Sequence, residues 1–144
     1  MDAVRTRWPK GAILIDLHGQ GVFKGSAVRG TRNGVTDAAL LRRAGKDAIT
    51  GPKSIFGVLE SEGYPTRPSA KSADQTEERN FNGGYIVATY GSKNTGGIDA
   101  LQIESGTDLR LPAKNRKKYA HALAQAIATF YRTYIQTEPT APKP

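Results

Sequence analysis

The stretch Ala12-Ile-Leu-Ile-Asp-Leu17, followed by His18-Gly-Gln-Gly21, decides the fold class predicted for this chain. It is a short apolar run with two β-branched residues, which is typical of a strand buried on both faces in a parallel sheet. Polar residues and glycines follow it at once. Because ligands bind at the carboxyl ends of the strands in open α/β sheets, we predict that residues 18–21 lie at a binding edge.

The segments after this strand predict an alternation of helices, one loop and a second strand. One helix is expected from Thr36 to Arg43 and another from Pro52 to about Gly63, because capping residues or a proline begin them and glycines end them. Residues 64–82 predict a surface loop placed to cover a site. Ile98–Ser105 alternates as a strand, with Gln102 and Glu104 on one face. These elements predict an α/β fold.

Three further segments are read from their spacing. Residues 2–8 predict the last turns of a helix that Pro9 and Gly11 end. Residues 83–91 stay open between helix and strand, because their spacing suits a helix and their residue types suit a strand. A long helix is expected after Pro112, with His121 off its apolar stripe and therefore exposed. The stripe consists of Tyr119, Leu123, Ile127, Phe130 and Tyr134.

Composition bounds the class of protein. The chain has 144 residues, 21 Lys and Arg against 13 Asp and Glu, a net charge of +8 and no cysteine. Disulfides, thiolate metal sites and a cysteine nucleophile are thereby excluded. No signal peptide or membrane-spanning run is visible. We predict a soluble, cytoplasmic chain with one domain over residues 1–136 and a disordered tail over residues 137–144.

Three polar side chains are predicted to carry chemistry. Asp16 and His18 share a strand face, so His18 could meet a metal while Asp16 accepts its other ring N–H. Glu104 ends the second strand and could act as a general base and then a general acid. In the alternative, His18 and Asp16 make ordinary loop contacts, and Glu104 is a solvated carboxylate paired with Arg110.

Five segments of the chain, taken in order, carry a resemblance to a known family. They are Leu14-Ile-Asp-Leu-His-Gly-Gln-Gly21, Arg29-Gly-Thr-Arg-Asn-Gly34, Thr50-Gly-Pro-Lys-Ser-Ile-Phe-Gly57, Asn82-Gly-Gly-Tyr-Ile-Val-Ala-Thr-Tyr-Gly-Ser92 and Gly97-Ile-Asp-Ala-Leu-Gln-Ile-Glu-Ser105. Together they resemble the N-formylglutamate amidohydrolase family over about residues 8–135. The last two segments are the most specific part.

The resemblance implies a zinc hydrolase that cleaves an amide of an N-acyl amino acid. Its implied fold is a mixed central sheet flanked by helices, as in zinc carboxypeptidases, succinylglutamate desuccinylase and related phosphorylase/hydrolase-like proteins. It makes His18 a ligand of Zn2+ and Glu104 the catalytic carboxylate. It implies a small carboxylate-bearing substrate, contacted by six residues: Arg29, Asn33, Asn82, Gly83, Gly84 and Tyr85.

One departure from the family limits this expectation. Its members place two further zinc ligands before the strand that carries the histidine, whereas only eleven residues precede that strand here. We expect an incomplete zinc site, the C-terminal portion of a longer hydrolase, and little turnover. The alternative is an inactive remnant that binds a small molecule or a protein.

The basic charge suggests a second alternative, a nucleic-acid-binding domain. The densest basic cluster begins the last helix and consists of Lys114, Arg116, Lys117 and Lys118. No recognised nucleic-acid motif accompanies it, and the nearby aromatic residues fit the core stripe better than a stacking platform. The sequence therefore disfavours a nucleic-acid partner and leaves the oligomeric state open.

Overall fold

A mixed sheet of four strands organises the chain, and the computed structural model describes residues 2–7 and 11–136. The strands are β1 (Ile13–Gln20), β2 (Ala27–Gly30), β3 (Thr66–Arg67) and β4 (Asp99–Gly106). The helices are α1 (Asp2–Arg7), α2 (Ala38–Ala44), α3 (Asp47–Thr50), α4 (Ile55–Ser61), α5 (Tyr85–Tyr90), α6 (Thr107–Arg110) and α7 (Ala113–Phe130), and a π-helical turn over Tyr131–Ile135 continues α7. The predicted α/β class with a mixed sheet is confirmed.

The strand order is β1-β4-β2-β3. β1 runs parallel to β4, and the register places His18 beside Glu104. β2 runs antiparallel to β4, with Val28 beside Glu104, and β3 runs parallel to β2. β4 is buried along its whole length and is one of the two interior strands of the sheet.

The predicted burial of the first strand on both faces is wrong. In the described part of the chain β1 has one neighbouring strand, β4, and lies at the edge of the sheet. Its residues Ile13–Asp16 are therefore half-buried, and Leu17 is exposed to 59%. An apolar run shows only that the segment is hydrophobic. Whether the strand lies inside the sheet or at its edge depends on distant segments that pair with it.

The two faces of the sheet have different environments. Leu101 and Ile103 point into the main hydrophobic core, which α4 and α7 complete with Phe56, Leu123 and Phe130. Because paired residues share a face, Gln102 and Glu104 point to the opposite side, where α5 contacts β4. The face with the polar side chains is thus separated from the core by the sheet itself.

Helix α2 is capped by distant residues. The predicted cap, Thr36, instead donates its hydroxyl to the carbonyl oxygens of Thr31 and Ala100, and Asp37 occupies the N-cap position. Asp99 Oδ1 accepts from the Leu40 N–H, and Ser92 Oγ accepts from the Ala39 N–H. The first free amides of the helix are satisfied by the segment that leads into β4.

The other predicted elements are found with shifted bounds. Helix α4 begins after Ser54, whose Oγ accepts from the Gly57 N–H, so Pro52 precedes the helix. The open segment 83–91 contains helix α5. Helix α7 buries Tyr119, Leu123 and Phe130, and His121 is exposed, as predicted. Trp8 to Lys10 and the predicted tail lie outside the described residues.

A search of the described helices for one long and apolar enough to cross a bilayer found none.

Candidate functional site

The carboxyl-terminal halves of β1 and β4 bring three polar side chains together on one face of the sheet. His18 Nδ1 lies 3.9 Å from Glu104 Oε1, and His18 Nε2 lies 3.1 Å from Asp16 Oδ2. This cluster follows directly from the register, because His18 and Glu104 are paired positions and Asp16 is two residues before His18. The imidazole thus lies between two carboxylates.

Glu104 is held by a chain of hydrogen bonds that begins in the backbone before α5. The Gly84 N–H donates to Gln102 Oε1 at 2.7 Å, and Gln102 Nε2 donates to Glu104 Oε1 at 2.7 Å. Because the first bond uses the amide oxygen of Gln102, its NH2 group must face the glutamate. Glu104 is buried, and the hydrogen bond from Gln102 to Oε1 fixes the orientation of its carboxylate.

The sequence pattern does not predict the role of Gln102. It placed Gln102 and Glu104 on one strand face, and that spacing of two residues was the available signal. The partner on the other side, Gly84, is distant in sequence and lies in a segment whose class was open. The contact could be found only once α5 was placed against β4.

Asp16 faces the histidine without a well-formed hydrogen bond. Its Oδ2 atom is buried and has no hydrogen-bond partner among the described residues, although His18 Nε2 is 3.1 Å away. The two atoms are close enough for an electrostatic contact, but they form no hydrogen bond. The contact therefore orients the ring mainly through charge.

The predicted alternative for Glu104, a solvated pair with Arg110, does not describe this arrangement. Glu104 is only 8% exposed, and Arg110 Nε donates to the Ser105 carbonyl oxygen. His18 is more open, with 48% of its side chain exposed. A solute can therefore reach the cluster from the side of His18.

Of the predicted substrate contacts, the segment from Asn82 to Tyr85 is linked to this cluster through Gly84. Gly84 reaches it through Gln102, and the Asn82 carbonyl oxygen accepts from the Arg32 N–H at 2.6 Å. A β carbon on Gly30 would lie 2.6 Å from the Gly83 nitrogen, so the two backbones pack too closely for a side chain there. Tyr85 is 79% exposed and free to meet a ligand.

Arg29 and Asn33 are not brought to this cluster. Arg29 is paired with Ile103, and its side chain therefore lies on the opposite face of the sheet from Glu104. Its Nε donates to Glu77 Oε1 at 3.0 Å. Asn33 also contacts Glu77, because its Oδ1 accepts from the Glu77 N–H and its own N–H donates to Glu77 Oε2.

A buried aspartate on the α2 side of the molecule has unusual electrostatics. Asp37 is fully buried, and neither of its carboxylate oxygens has a hydrogen-bond partner among the described residues. Burial raises its pKa to about 7, and the nearby charges of Glu77 and Asp99 add to the rise. At neutral pH this carboxyl group is partly protonated.

The zinc that the resemblance implies can be tested against the donor set. Within residues 2–7 and 11–136, no group of three His, Asp or Glu side chains is arranged to hold a metal ion. The described residues therefore do not fit a three-ligand zinc site.

Comparison of the chain with protein-family models, with curated proteins and with solved structures finds no match in any of the three.

Proposed function

We propose that the cluster of Asp16, His18 and Glu104 is an amide-hydrolysing site, or the larger part of one, that acts on an N-acyl amino acid. The carrying observation is the register of the two parallel strands, which sets an accessible histidine beside an oriented, buried glutamate. Such a pair offers one group that can take up a proton and one that can donate an N–H. The resemblance to the N-formylglutamate amidohydrolase family supplies the substrate class.

Glu104 is the general base in this proposal. It accepts a proton from a water molecule, the resulting hydroxide adds to the acyl carbon, and the protonated Glu104 returns the proton to the leaving amine. The bond that forms is C–O and the bond that breaks is the amide C–N. Gln102 favours this role, since its N–H holds Oε1 and leaves Oε2 for the water.

His18 stabilises the charge that develops on the acyl oxygen. Its Nδ1 is 3.9 Å from Glu104, which is beyond hydrogen-bond range, so this nitrogen can turn to a substrate carbonyl. Asp16 is a positioning residue, because its charge near Nε2 favours the ring orientation observed. An oriented N–H that meets a developing oxyanion lowers the barrier to acyl transfer.

The substrate in this proposal carries a carboxylate. The chain has a net charge of +8, which raises the local concentration of small anions at its surface. The exposed Tyr85 and the Asn82–Gly84 backbone, which is tied to the cluster through Gln102, are the proposed contacts for the amino-acid part. A zinc ion would need ligands beyond Asp16, His18 and Glu104.

A second candidate function is binding of an acylated amino acid without cleavage. The observation in its favour is the exposure of His18 and Tyr85, which leaves both side chains open to a ligand. In this candidate the ligand makes the same contacts with the cluster, but its amide bond is not cleaved. A measurement of turnover therefore distinguishes the two candidate functions.

The test is release of free amine from a panel of N-formyl, N-acetyl and N-succinyl amino acids, with and without added zinc. We expect slow hydrolysis by the wild-type chain and a loss of at least about a hundredfold in Glu104→Gln, because the general base is removed. The matched control is Glu62→Gln, an exposed glutamate in another part of the molecule. It should leave the rate unchanged.

Equal rates for wild type and Glu104→Gln would reject hydrolysis by this site. Equilibrium dialysis of the same compounds then decides the second candidate. Binding that His18→Ala abolishes supports a binding module, whereas no binding to either protein rejects both functions.

A further inference from the structure

A cavity of about 440 Å³ opens on the side of the sheet that does not carry His18 and Glu104. Its walls come from the end of β2 and the loop after it, from helices α2 and α3, and from residues 73–76. Arg29, whose side chain shares a face with Ile103, is part of the wall. The volume is within the range of small-molecule sites in proteins.

The walls are fixed by one buried carboxylate that lies behind them. Glu77 accepts from Arg29 Nε, from the Thr31 hydroxyl and from the backbone N–H groups of Thr31 and Asn33. This network joins the 73–76 segment to β2 and its following loop. The cavity is therefore preformed, and a ligand would not have to order its walls.

The cavity wall offers hydrogen-bond donors beyond those used inside the protein. Three guanidinium N–H groups of Arg29 bond to Glu77 and Gln75, and a guanidinium carries more donors than these three. Asn33 uses its Oδ1 on the Glu77 N–H, and no described residue accepts from its NH2 group. Lys46 is exposed at the rim and has no ion-pair partner among the described residues.

Three acceptors at the cavity, in contrast, already accept hydrogen bonds from protein groups. The Glu77 carboxylate, Gln75 Oε1 and Asn33 Oδ1 all accept hydrogen bonds from the protein. The rest of the wall includes three apolar side chains, Leu41, Ile49 and Ala73. A complementary ligand has a negatively charged acceptor group at one end and a short apolar body.

We propose that this cavity binds a small aliphatic carboxylic acid in its ionised form, with its carboxylate at the unused donors and its chain against the apolar wall. The site is separate from the proposed hydrolase cluster, because the sheet lies between Arg29 and Glu104. The proposal therefore does not depend on whether the chain hydrolyses amides. It gives Arg29 and Asn33 a ligand contact at a second site.

The experiment is an amide-resolved NMR titration of the full chain with hexanoate. Hexan-1-ol serves as the neutral probe and inorganic phosphate as the anion without an apolar body. We expect hexanoate to shift the amides of Leu41, Lys46 and Ile49 in a saturable way and to bind more tightly than either control. Phosphate binding more tightly than hexanoate, or hexanol binding equally well, would overturn the carboxylate assignment.

Two variants test the location. Lys46→Met keeps the aliphatic stem and should weaken hexanoate binding about fivefold, the size expected for one exposed charge pair. Lys53→Met is the matched control, because Lys53 is exposed and outside the cavity wall. Ala73→Trp fills the cavity from an exposed loop position and should abolish binding.

Hexanoate binding that survives Ala73→Trp, or that is weakened equally by both lysine variants, would refute the site. The Glu104→Gln variant should bind hexanoate as the wild type does. If Glu104→Gln alone removed binding, the carboxylate would be occupying the hydrolase cluster, and the second site would be rejected while the first gained support.

Discussion

Two buried glutamates on opposite faces of the same sheet are held in opposite ways. Glu77 accepts four hydrogen bonds, from Arg29, from Asn33 and from the hydroxyl and backbone of Thr31, so its carboxylate is saturated. Glu104 accepts one from the described residues, donated by Gln102, and has a half-exposed histidine nearby. A saturated carboxylate fixes structure, whereas one with an unused oxygen beside a solvent path is available for chemistry.

The largest effect expected from this comparison is the loss of stability in Glu77→Gln. The substitution leaves the Arg29 charge buried and turns an NH2 group toward protein N–H donors, so we expect a loss of about 3 kcal/mol in the free energy of unfolding. Urea denaturation measures it. Glu104→Gln is the matched control, because its amide oxygen can still accept from Gln102, and it should change stability by less than about 1 kcal/mol.

Equal losses in the two glutamine variants would remove the distinction between a structural and a chemically available carboxylate. A larger loss in Glu104→Gln would reverse it.

The pH dependence of stability sharpens the comparison on the Glu77 side. The pKa of Asp37 is about 7 in the folded chain and 3.8 in its ordinary state, so the folded chain holds this proton more tightly. Its contribution is present at low pH and is lost as pH rises through about 7. Between pH 5 and 7 the free energy of unfolding should fall by about 2 kcal/mol from this group.

Asp37→Asn removes that titration. We expect a flatter stability profile and a protein more stable than wild type at pH 8, measured by thermal and urea unfolding across the pH range. Asp108→Asn, at an exposed position in α6, should keep the wild-type slope. An unchanged slope in Asp37→Asn would show that other groups cause the pH dependence.

The smallest effect concerns the positioning of Glu104. Gln102→Met removes the hydrogen bonds that Gln102 makes with the Gly84 N–H and with Glu104, while keeping a side chain of similar length. Losing a hydrogen bond to a charged group is worth about 1.5 kcal/mol or more, so kcat for the proposed hydrolysis should fall about tenfold with little change in KM. Gln125→Met, on the exposed side of α7, is the control.

A structural readout accompanies this rate measurement. The Gly84 amide should exchange with solvent faster in Gln102→Met than in wild type, because its acceptor is gone. Unchanged exchange at Gly84 would show that the hydrogen bond is not formed in solution, whatever happens to the rate.

The sequence was most informative where function depends on strand period. The alternation of Ile98–Ser105 predicts Gln102 and Glu104 on one face, and the spacing of Asp16 and His18 predicts their shared face. These are local properties, and a parallel pairing then brings the two sets together. The roles of His18 and Glu104 in hydrolysis stay predictions.

Structural features that depend on residues distant in sequence could not be predicted from local patterns. The sequence pattern of β1 predicts burial, but its edge position depends on which strands pair with it. Arg29 looks like a substrate contact until Glu77 is placed against it, and Glu77 lies in a segment with no periodic pattern. The capping of α2 differs from the prediction for the same reason. Asp99 and Ser92, which are distant in sequence, accept the helix N–H groups that Thr36 is predicted to cap.

The edge position of β1 has a consequence for how the chain exchanges hydrogen with water. In a parallel ladder, alternate residues of a strand direct their amides to the same neighbour. β4 lies on one side of β1, and no described strand lies on the other. Protection along β1 should therefore alternate, with every second amide exchanging at a rate close to that of a loop. The backbone of the strand that carries His18 is thus held by hydrogen bonds along the side that faces β4 and is open to solvent along the other side.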